Sequence, residues 1–377
     1  MILSEDQNLI RETARRFAQE QLVPNSAGWD KDPRFPREAI DALGALGFLG
    51  ITIPETSGGA GADHVSLALV LEEIAAGDAA CATVVSGHNS VGCMPVYKYG
   101  TEAQHQQFLI PMAQGKMLSA FCLTEPHCGS DAADLRTTAE SVAERYIING
   151  TKQLITSGST ADVALVFAVT DPTAGKRGIT AFIVPTDTPG YRVARVEDKM
   201  GQKASDTCQL VFEDLEITVE QRLGAEGEGY QIALSNLEGG RIGIAAQAVG
   251  IARAAFELAL AYAKERVTFR KPIIEHQSVA FRLADMATAI ESARQLVLHA
   301  ASLRDLGHPC LKEACMAKLY ASEMVEKVCS DAIQTLGGYG YLTDFSLERL
   351  YRDARVCKIY EGTNDIQRLL IARAIAE

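Results

Sequence analysis

Apolar positions change their spacing twice along the chain. Ile10, Ala14 and Phe17 fall at i, i+4 and i+7 behind Ser4-Glu5-Asp6-Gln7, a capping-box pattern that predicts a helix start. Residues 67–76 (LALVLEEIAA) predict a second helix, and Gly58-Gly59-Ala60-Gly61 predicts a flexible loop between the two. Near residue 118 the texture changes. Short β-forming runs at 164–169 (ALVFAV), 179–184 and 209–212 are punctuated by Pro and Gly. Asn149-Gly150, following Tyr146-Ile147-Ile148, predicts a hairpin turn. From about residue 225 helical spacing returns over longer stretches. Leu283, Met286, Ile290, Ala293 and Val297 step by 3, 4, 3, 4, and Ala317, Ala321, Met324 and Val328 step by 4, 3, 4. Narrow seams of this kind, rich in alanine, predict closely packed antiparallel helices. A final helix from Asp365 to Ala376 carries Ile366, Leu369 and Leu370 in the same pattern.

The fold class expected is therefore α+β and multidomain. An N-terminal α-helical domain (1–117) precedes a middle, mostly antiparallel β domain (118–224) and a C-terminal four-helix bundle (225–377). Strands do not alternate with helices, which argues against a doubly wound parallel sheet. No GxGxxG follows a predicted strand and no GxxxxGK[ST] occurs, so a dinucleotide bound here is not bound by the Rossmann device. The composition, 47% hydrophobic and 22% charged, is that of a globular protein. With 36 Lys+Arg against 48 Asp+Glu the net charge is −12, which argues against a nucleic-acid binder held on phosphates. No apolar run reaches the roughly 18 residues of a membrane span. The first residues lack a basic stretch followed by an apolar one, so no secretory signal is expected. Nine cysteines, scattered and without a CxxC pair, argue against a disulfide scaffold or a zinc ribbon and fit a reducing compartment.

Four segments carry candidate chemistry. The loop from Cys122 to Asp131 (CLTEPHCGSD) is rich in hydroxyls and backbone N–H groups, which suit a heteroaromatic ring or a phosphate as well as an ordinary capped turn. Gln334-Thr335-Leu336-Gly337-Gly338-Tyr339-Gly340-Tyr341 ends a helical seam, and its glycines serve either close backbone approach or a helix C-cap. In Ile359-Tyr360-Glu361-Gly362-Thr363-Asn364, Glu361 precedes good N-cap residues and reads as a reactive carboxylate or a solvated one. Arg266-Val267-Thr268-Phe269 with His276-Gln277 offers an arginine for a phosphate or for solvent.

Together and in this order, the four segments resemble the acyl-CoA dehydrogenases over essentially the whole chain. The loop 122–131 resembles the family's first signature. Gln334, Gly337, Gly338, Gly340, Tyr341, Asp344, Arg349 and Asp353 fall in place in the second. Ile359-Tyr360-Glu361-Gly362-Thr363 looks like the stretch that carries the catalytic base. The resemblance implies FAD held between the β domain and the bundle and partly by a neighbouring subunit, in a homotetramer built from dimers. It places Phe121, Leu123, Thr124, Gly129 and Ser130 along the flavin, with Ile155 and Thr156 hydrogen-bonding it. Arg266, Thr268, Phe269, His276 and Gln277 match the stretch contacting the pyrophosphate and its surroundings. Gln334, Gly337 and Gly338 match the cross-subunit contact, and Thr363 and Asp365 are further FAD positions. Ser130, Glu238, Arg241 and Gly362 are implied on the acyl-CoA substrate. No metal and no nucleic acid or membrane partner is implied, and electron-transfer flavoprotein is the implied acceptor. The implied compartment is the bacterial cytoplasm, or the mitochondrial matrix after loss of a transit peptide.

In most of the family the base is the Glu of the Tyr-Glu-Gly-Thr stretch; in the isovaleryl and long-chain branches it sits just before the arginine that matches Arg241. Here that place holds Gly240, and Glu361 is present, so the majority arrangement is implied. An acyl thioester α-proton is weakly acidic and needs a positioned carboxylate and a polarised carbonyl. The reaction implied is α,β-dehydrogenation of a short or branched acyl-CoA to the trans-2-enoyl-CoA. Glu361 takes the α-proton and flavin N5 the hydride. Cys128, Asp134, Leu154 (for an aromatic residue) and Arg270 (for glycine) depart from the family pattern, and none touches the base. An oxidase using oxygen and a non-catalytic relative with a binding role are the alternatives. Neither fits as well, because the oxidases' extra C-terminal domain is absent from these 377 residues and the base is kept.

Overall fold

The computed structural model describes residues 2–376. Eight helices come first: α1 (Glu5–Phe17), α2 (Val23–Lys31), α3 (Arg37–Ala45), α4 (His64–Gly77), α5 (Ala79–Gly87), α6 (Met94–Tyr99), α7 (Glu102–Gln104) and α8 (Ile110–Ala113). The capping box forms as expected: Ser4 Oγ accepts from the Gln7 N–H at 3.1 Å and Gln7 Oε1 from the Ser4 N–H at 3.0 Å. Asp63 and Asp78 cap α4 and α5 in the same way, accepting from Ser66 and Cys81 backbone N–H groups.

The strands are β1 (Ser119–Cys122), β2 (Thr138–Val142), β3 (Arg145–Thr156), β4 (Val163–Val169), β5 (Ile179–Pro185), β6 (Tyr191–Val196), β7 (Thr207–Thr218) and β8 (Arg222–Leu223). They form one sheet in the order β6-β7-β3-β2-β4-β5-β8, with β1 paired to β4. The pairing is mostly antiparallel, as expected; β1 and β2 meet β4 in parallel. One expectation is overturned. Asn149-Gly150 makes no hairpin turn, because β3 runs straight through it and the turn lies at Ala143-Glu144. The pair forms an irregularity against β7 instead: Asn149 Nδ2 donates to Asp214 Oδ1 at 3.1 Å, and Gly150 takes φ 155°. A β-carbon there would lie 2.5 Å from Thr137 Oγ1. The glycine thus serves close approach to a neighbouring segment.

The second helical region comprises α9 (Gly229–Ser235), α10 (Leu237–Glu265), α11 (Gln277–Asp305), α12 (Leu311–Leu336), α13 (Leu347–Ala354) and α14 (Asn364–Ala376). A tight hairpin of β9 (Val267–Thr268) and β10 (Lys271–Pro272) joins α10 to α11. Its turn residues Phe269 and Arg270 have φ 48° and 66°. Arg270 therefore occupies a left-handed position that a glycine would take about 1–2 kcal/mol more cheaply. Every seam residue named above on α11 and α12 is buried. The stretch 229–265 is long enough to cross a membrane and contains an 18-residue window apolar enough to do so, with a mean hydropathy of 1.5. That window is 61% buried inside the fold, as suits a central helix, α10, that α4, α11 and α12 surround.

Helices α6 and α8 pack with one face of the sheet in one apolar core. Helices α1–α5 and the bundle share another, running from Ala14 through Leu71 and Ile244 to Ala293 and Ala317. At its edge two buried acids on α4 meet arginines from three helices. Glu72 pairs with Arg294 (2.8 Å) and Arg253 (3.1 Å), and Glu73 with Arg15 (2.8 Å) and Arg253 (2.5 Å). The last helix departs from its expected apolar seam. Ile366 and Leu370 are half-buried, but Leu369 is 44% exposed, and Asn364 and Gln367 are the buried positions. α14 therefore presses polar side chains inward, toward the segment that precedes it.

Candidate active site

That segment carries Glu361. A short 3-10 turn (Arg355–Lys358) ends, and Glu361 and Gly362 follow with φ 53° and 84°. A non-glycine residue in this region is strained by about 1–2 kcal/mol and persists where its surroundings hold it. Gln367 Nε2 donates to the carbonyls of Glu361 (3.2 Å) and Gly362 (2.8 Å). Lys318 Nζ donates to the Gly362 carbonyl at 2.9 Å. On the other flank the Tyr360 hydroxyl donates to Gln247 Oε1 (2.9 Å) and accepts from Gln202 Nε2 (3.2 Å). Both carbonyls of the turn are thus occupied. Among the described residues no group accepts from the Glu361 N–H, which stays available to a ligand.

Glu361 as a residue is half-buried, but its Oε2 is buried and makes no hydrogen bond. Burial pushes this carboxyl up to about 7, against the opposing charges of Arg241 and Lys318. Among the described residues no ion pair joins Glu361 to either cation, and its Oε2 has no hydrogen-bond partner. Gly240 on α10 faces it: a β-carbon there would lie 2.6 Å from Oε2 and 2.8 Å from Cδ. The two places that the family resemblance allows for a base therefore converge on one space, and the glycine leaves that space to Glu361. Arg241 is 6% exposed, with its Nε unpaired and Nη1 reaching Cys315 Sγ at 3.7 Å. Glu238 sits at the start of α10 beside Arg304, 3.4 Å away.

The β-domain positions form a second group. Leu123, Thr124, Ile155 and Thr156 come together because the Gln153 N–H donates to the Thr124 carbonyl at 2.9 Å. Side chains here divide between core and surface. Phe121 packs on Phe167 (ring centroids 4.9 Å apart) and Ile155 is buried, so these two offer a ligand chiefly their backbone. Gly129 and Ser130 are exposed at the loop's end. Leu154 projects outward, 59% exposed, at φ 59°. Beneath the loop lies a buried ion pair without an expected role. Lys152 Nζ donates to Glu125 Oε1 at 2.8 Å and to the Leu123 carbonyl at 3.1 Å, and Glu125 also accepts from the N–H groups of Arg136 and Thr137. Burial raises the Glu125 carboxyl, but Lys152 and these hydrogen bonds more than offset it and hold it below the usual range. The Lys at 152, among β-formers, was the sequence signal for this brace.

A third group lines a cleft of about 460 Å³: Arg266, Thr268, Gln334, Gly337 and Gly338, with Tyr262 and Tyr339. Space is open where β-carbons on Gly337 and Gly338 would stand, and Arg266 lies over the Tyr339 ring at 5.8 Å. His276 supports the hairpin through Thr268 Oγ1 at 3.2 Å, Phe269 is 90% exposed, and Gln277 begins α11. Among the described residues no hydrogen bond or ion pair joins this cleft to Glu361. Thr363 and Asp365 flank the start of α14, half-buried and exposed respectively. A polar loop, an arginine-bearing cleft open at two glycines, and orphaned buried atoms on Arg241 and Glu361 fit an extended dinucleotide and a thioester substrate.

A buried carboxyl of raised proton affinity, its Oε2 unpaired and facing the gap left by Gly240, has the chemistry of a general base. The comparisons name the family. Residues 4–116, 120–215 and 227–376 match the models of the N-terminal, middle and C-terminal domains of acyl-CoA dehydrogenase. The chain belongs to the acyl-CoA dehydrogenase family. It is 48% identical over 373 residues to an acyl-CoA dehydrogenase of Bacillus subtilis (strain 168), covering 99% of this chain and 98% of the relative. The butyryl-CoA dehydrogenase of Megasphaera elsdenii superposes with a TM-score of 0.98 at 42% identity, covering 100% of both chains. A chain of the solved electron transferring flavoprotein of Acidaminococcus fermentans superposes with a TM-score of 0.98 at 45% identity, covering 100% of this chain and 99% of its own.

Proposed function

We propose that this chain is an FAD-dependent acyl-CoA dehydrogenase that converts a short or branched acyl-CoA to the trans-2-enoyl-CoA, with Glu361 as the base. The observation that carries the reading is the unpaired, buried Glu361 carboxylate, raised to about 7 and facing the gap left by Gly240. A base of that strength accepts a proton from an activated α-carbon near neutral pH and releases it again. The unbonded Glu361 N–H is suited to donate to the thioester oxygen and so lower the cost of carbanion character at the α-carbon. Ser130, Glu238, Arg241 and Gly362 are the residues assigned to the substrate.

FAD, when bound, supplies the hydride acceptor. Leu123, Thr124, Gly129, Ser130, Ile155 and Thr156, with the Phe121 backbone, are the groups to hold its ring, and Thr363 and Asp365 lie next to the base. Arg266, Thr268, Phe269, His276, Gln277, Gln334, Gly337 and Gly338 are assigned to the other half of a cofactor, one that a neighbouring copy of the chain shares. The exposed apolar residues around that cleft, Phe269 (90%), Tyr341 (84%) and Phe281 (63%), support a homotetramer. The division at 117/118 and 224/225 goes with this reading. Electron-transfer flavoprotein is the assigned acceptor, in line with the Acidaminococcus structure.

A short acyl group is supported by what lies beyond the base. Gln247 is fully buried and bonded to Thr83, Tyr360 and the Ala79 carbonyl, and the Thr83 hydroxyl meets Gln202 at 2.6 Å. A long apolar chain would break these bonds without replacing them. Anaerobic mixing with butyryl-CoA tests the reading: the flavin absorbance bleaches in the wild type and falls at least about 10³ times more slowly in Glu361→Gln. No bleaching by any acyl-CoA refutes the activity, and equal rates in the variant remove Glu361 as base.

A further inference from the structure

Lys318 is fully buried on α12, and the reaction assigned to Glu361 makes no use of it. Its ammonium makes two hydrogen bonds, to the Gly362 carbonyl at 2.9 Å and to Asn364 Oδ1 at 3.0 Å. Asn364 Oδ1 in turn accepts from Ser322 Oγ at 3.1 Å. Among the described residues no carboxylate forms an ion pair with Lys318. An ammonium buried on neutral acceptors alone is costly, and burial pulls this one down to about 8. The charged and titratable groups around it are Cys357 before the base, Glu361 itself, Arg241 on α10 and Cys315 one turn earlier on α12.

We propose that Lys318 is a positioning residue for Glu361. It pins the Gly362 carbonyl, so holding the two left-handed residues that aim the carboxylate, and its charge acts on that carboxylate from beyond contact distance. This rests on Glu361 being the base. The arrangement separates two effects that a salt bridge would merge. A cation in contact with Oε2 would occupy the lone pair that must take the proton and would weaken the base. Lys318 directs its N–H groups to the next carbonyl instead. The carboxylate stays free, the cation stays near, and the turn is fixed so that the Glu361 N–H remains unbonded.

Three variants separate this role from a merely structural one: Lys318→Met, Lys318→Arg and Asn364→Asp. Two quantities are read in the holoenzyme. One is the pH dependence of kcat and KM with butyryl-CoA. The other is the pH midpoint of the carboxyl infrared band that Glu361→Gln removes. Lys318→Met is expected to lower kcat by at least about tenfold with little change in KM, and to raise the infrared midpoint and the acid limb of kcat by about one pH unit. Lys318→Arg keeps the charge, so its midpoint stays near the wild-type value while kcat recovers in part. Asn364→Asp keeps the Gly362 contact and sets a carboxylate against the ammonium, so the midpoint rises with a smaller loss of kcat. A fall in kcat and thermal stability with unmoved midpoints in Lys318→Met overturns the proposal. If that variant does not fold, an unmoved midpoint in Asn364→Asp overturns it alone. Full turnover in Glu361→Gln overturns the base assignment instead, whatever the lysine variants do.

Discussion

Gly240→Ala adds one methyl group to a helix, and the structure assigns it opposite effects on stability and on rate. The new β-carbon would stand 2.6 Å from Glu361 Oε2, 2.8 Å from Cδ and 3.0 Å from Oε1. Ordinary carbon contacts begin near about 3.5 Å, so the carboxylate must retreat by roughly 1 Å. The obstructing atoms are the far end of a flexible side chain, so the fold adjusts at small cost. Alanine also gains about 0.5–1 kcal/mol over glycine within a helix. The base cannot retreat without leaving its line to the α-carbon, and a misplacement of about 1 Å costs on the order of 10²-fold in rate. Gly240→Ala is therefore expected to melt no lower than the wild type and to lose about 100-fold in kcat with butyryl-CoA, with KM little changed. Stopped-flow bleaching and a thermal melt of the holoenzyme measure the two halves. A kcat within about threefold of wild type would refute the placement of Glu361 against Gly240.

Glu361→Gln should change stability in a pH-dependent way. The unfolded carboxyl ionises near 4.5 and the folded one near 7, so the folded state holds its proton over that window. Stability from this group falls as pH rises through the window, and above it the wild type carries a penalty of roughly 3 kcal/mol that the amide lacks. Urea unfolding should therefore find the variant more stable than wild type at pH 8 and close to it at pH 4.5; the same difference at both pH values speaks against the raised affinity. Lys152→Met leaves the Glu125 carboxylate buried on two backbone N–H groups. About 3–5 kcal/mol is lost and the loop 122–131 loosens, so flavin content on purification should drop. A fully flavinated variant with an unchanged melting temperature would show that the pair does not brace the loop.

Much of the architecture was legible because it is local. A capping box such as Ser4–Gln7 is read three residues away, and a seam such as Leu283–Val297 repeats every three or four residues, so one dimension of sequence suffices to find each. The α, β, α order was visible in this way; Glu361 and the glycine at 240 stood out only through the resemblance to the acyl-CoA dehydrogenases. Local signals also misled where tertiary demands were stronger. Asn149-Gly150 has the chemistry of a turn, yet Asn149 bonds Asp214 and Gly150 passes close to Thr137, so the strand continues. Leu369 repeats an apolar pattern but lies exposed, while Gln367 turns inward to hold the carbonyls of Glu361 and Gly362.

What the sequence by itself determined is the α, β, α order, the long helices of the bundle and, through its resemblance to a family, the carboxylate to consider as a base. The tertiary structure decided the chemistry of that carboxylate. Its affinity for a proton comes from burial, which outweighs the opposing charges of Arg241 and Lys318, and the missing side chain at 240 leaves it room. The Lys318 contact joins residues 44 apart in the chain, and the Lys152–Glu125 pair joins residues 27 apart. Burial and Coulomb interactions depend on distance through space and on the water excluded along the way. Neither quantity has a period that a linear sequence can display, so these charges gain their roles only when the helices and the sheet close around them.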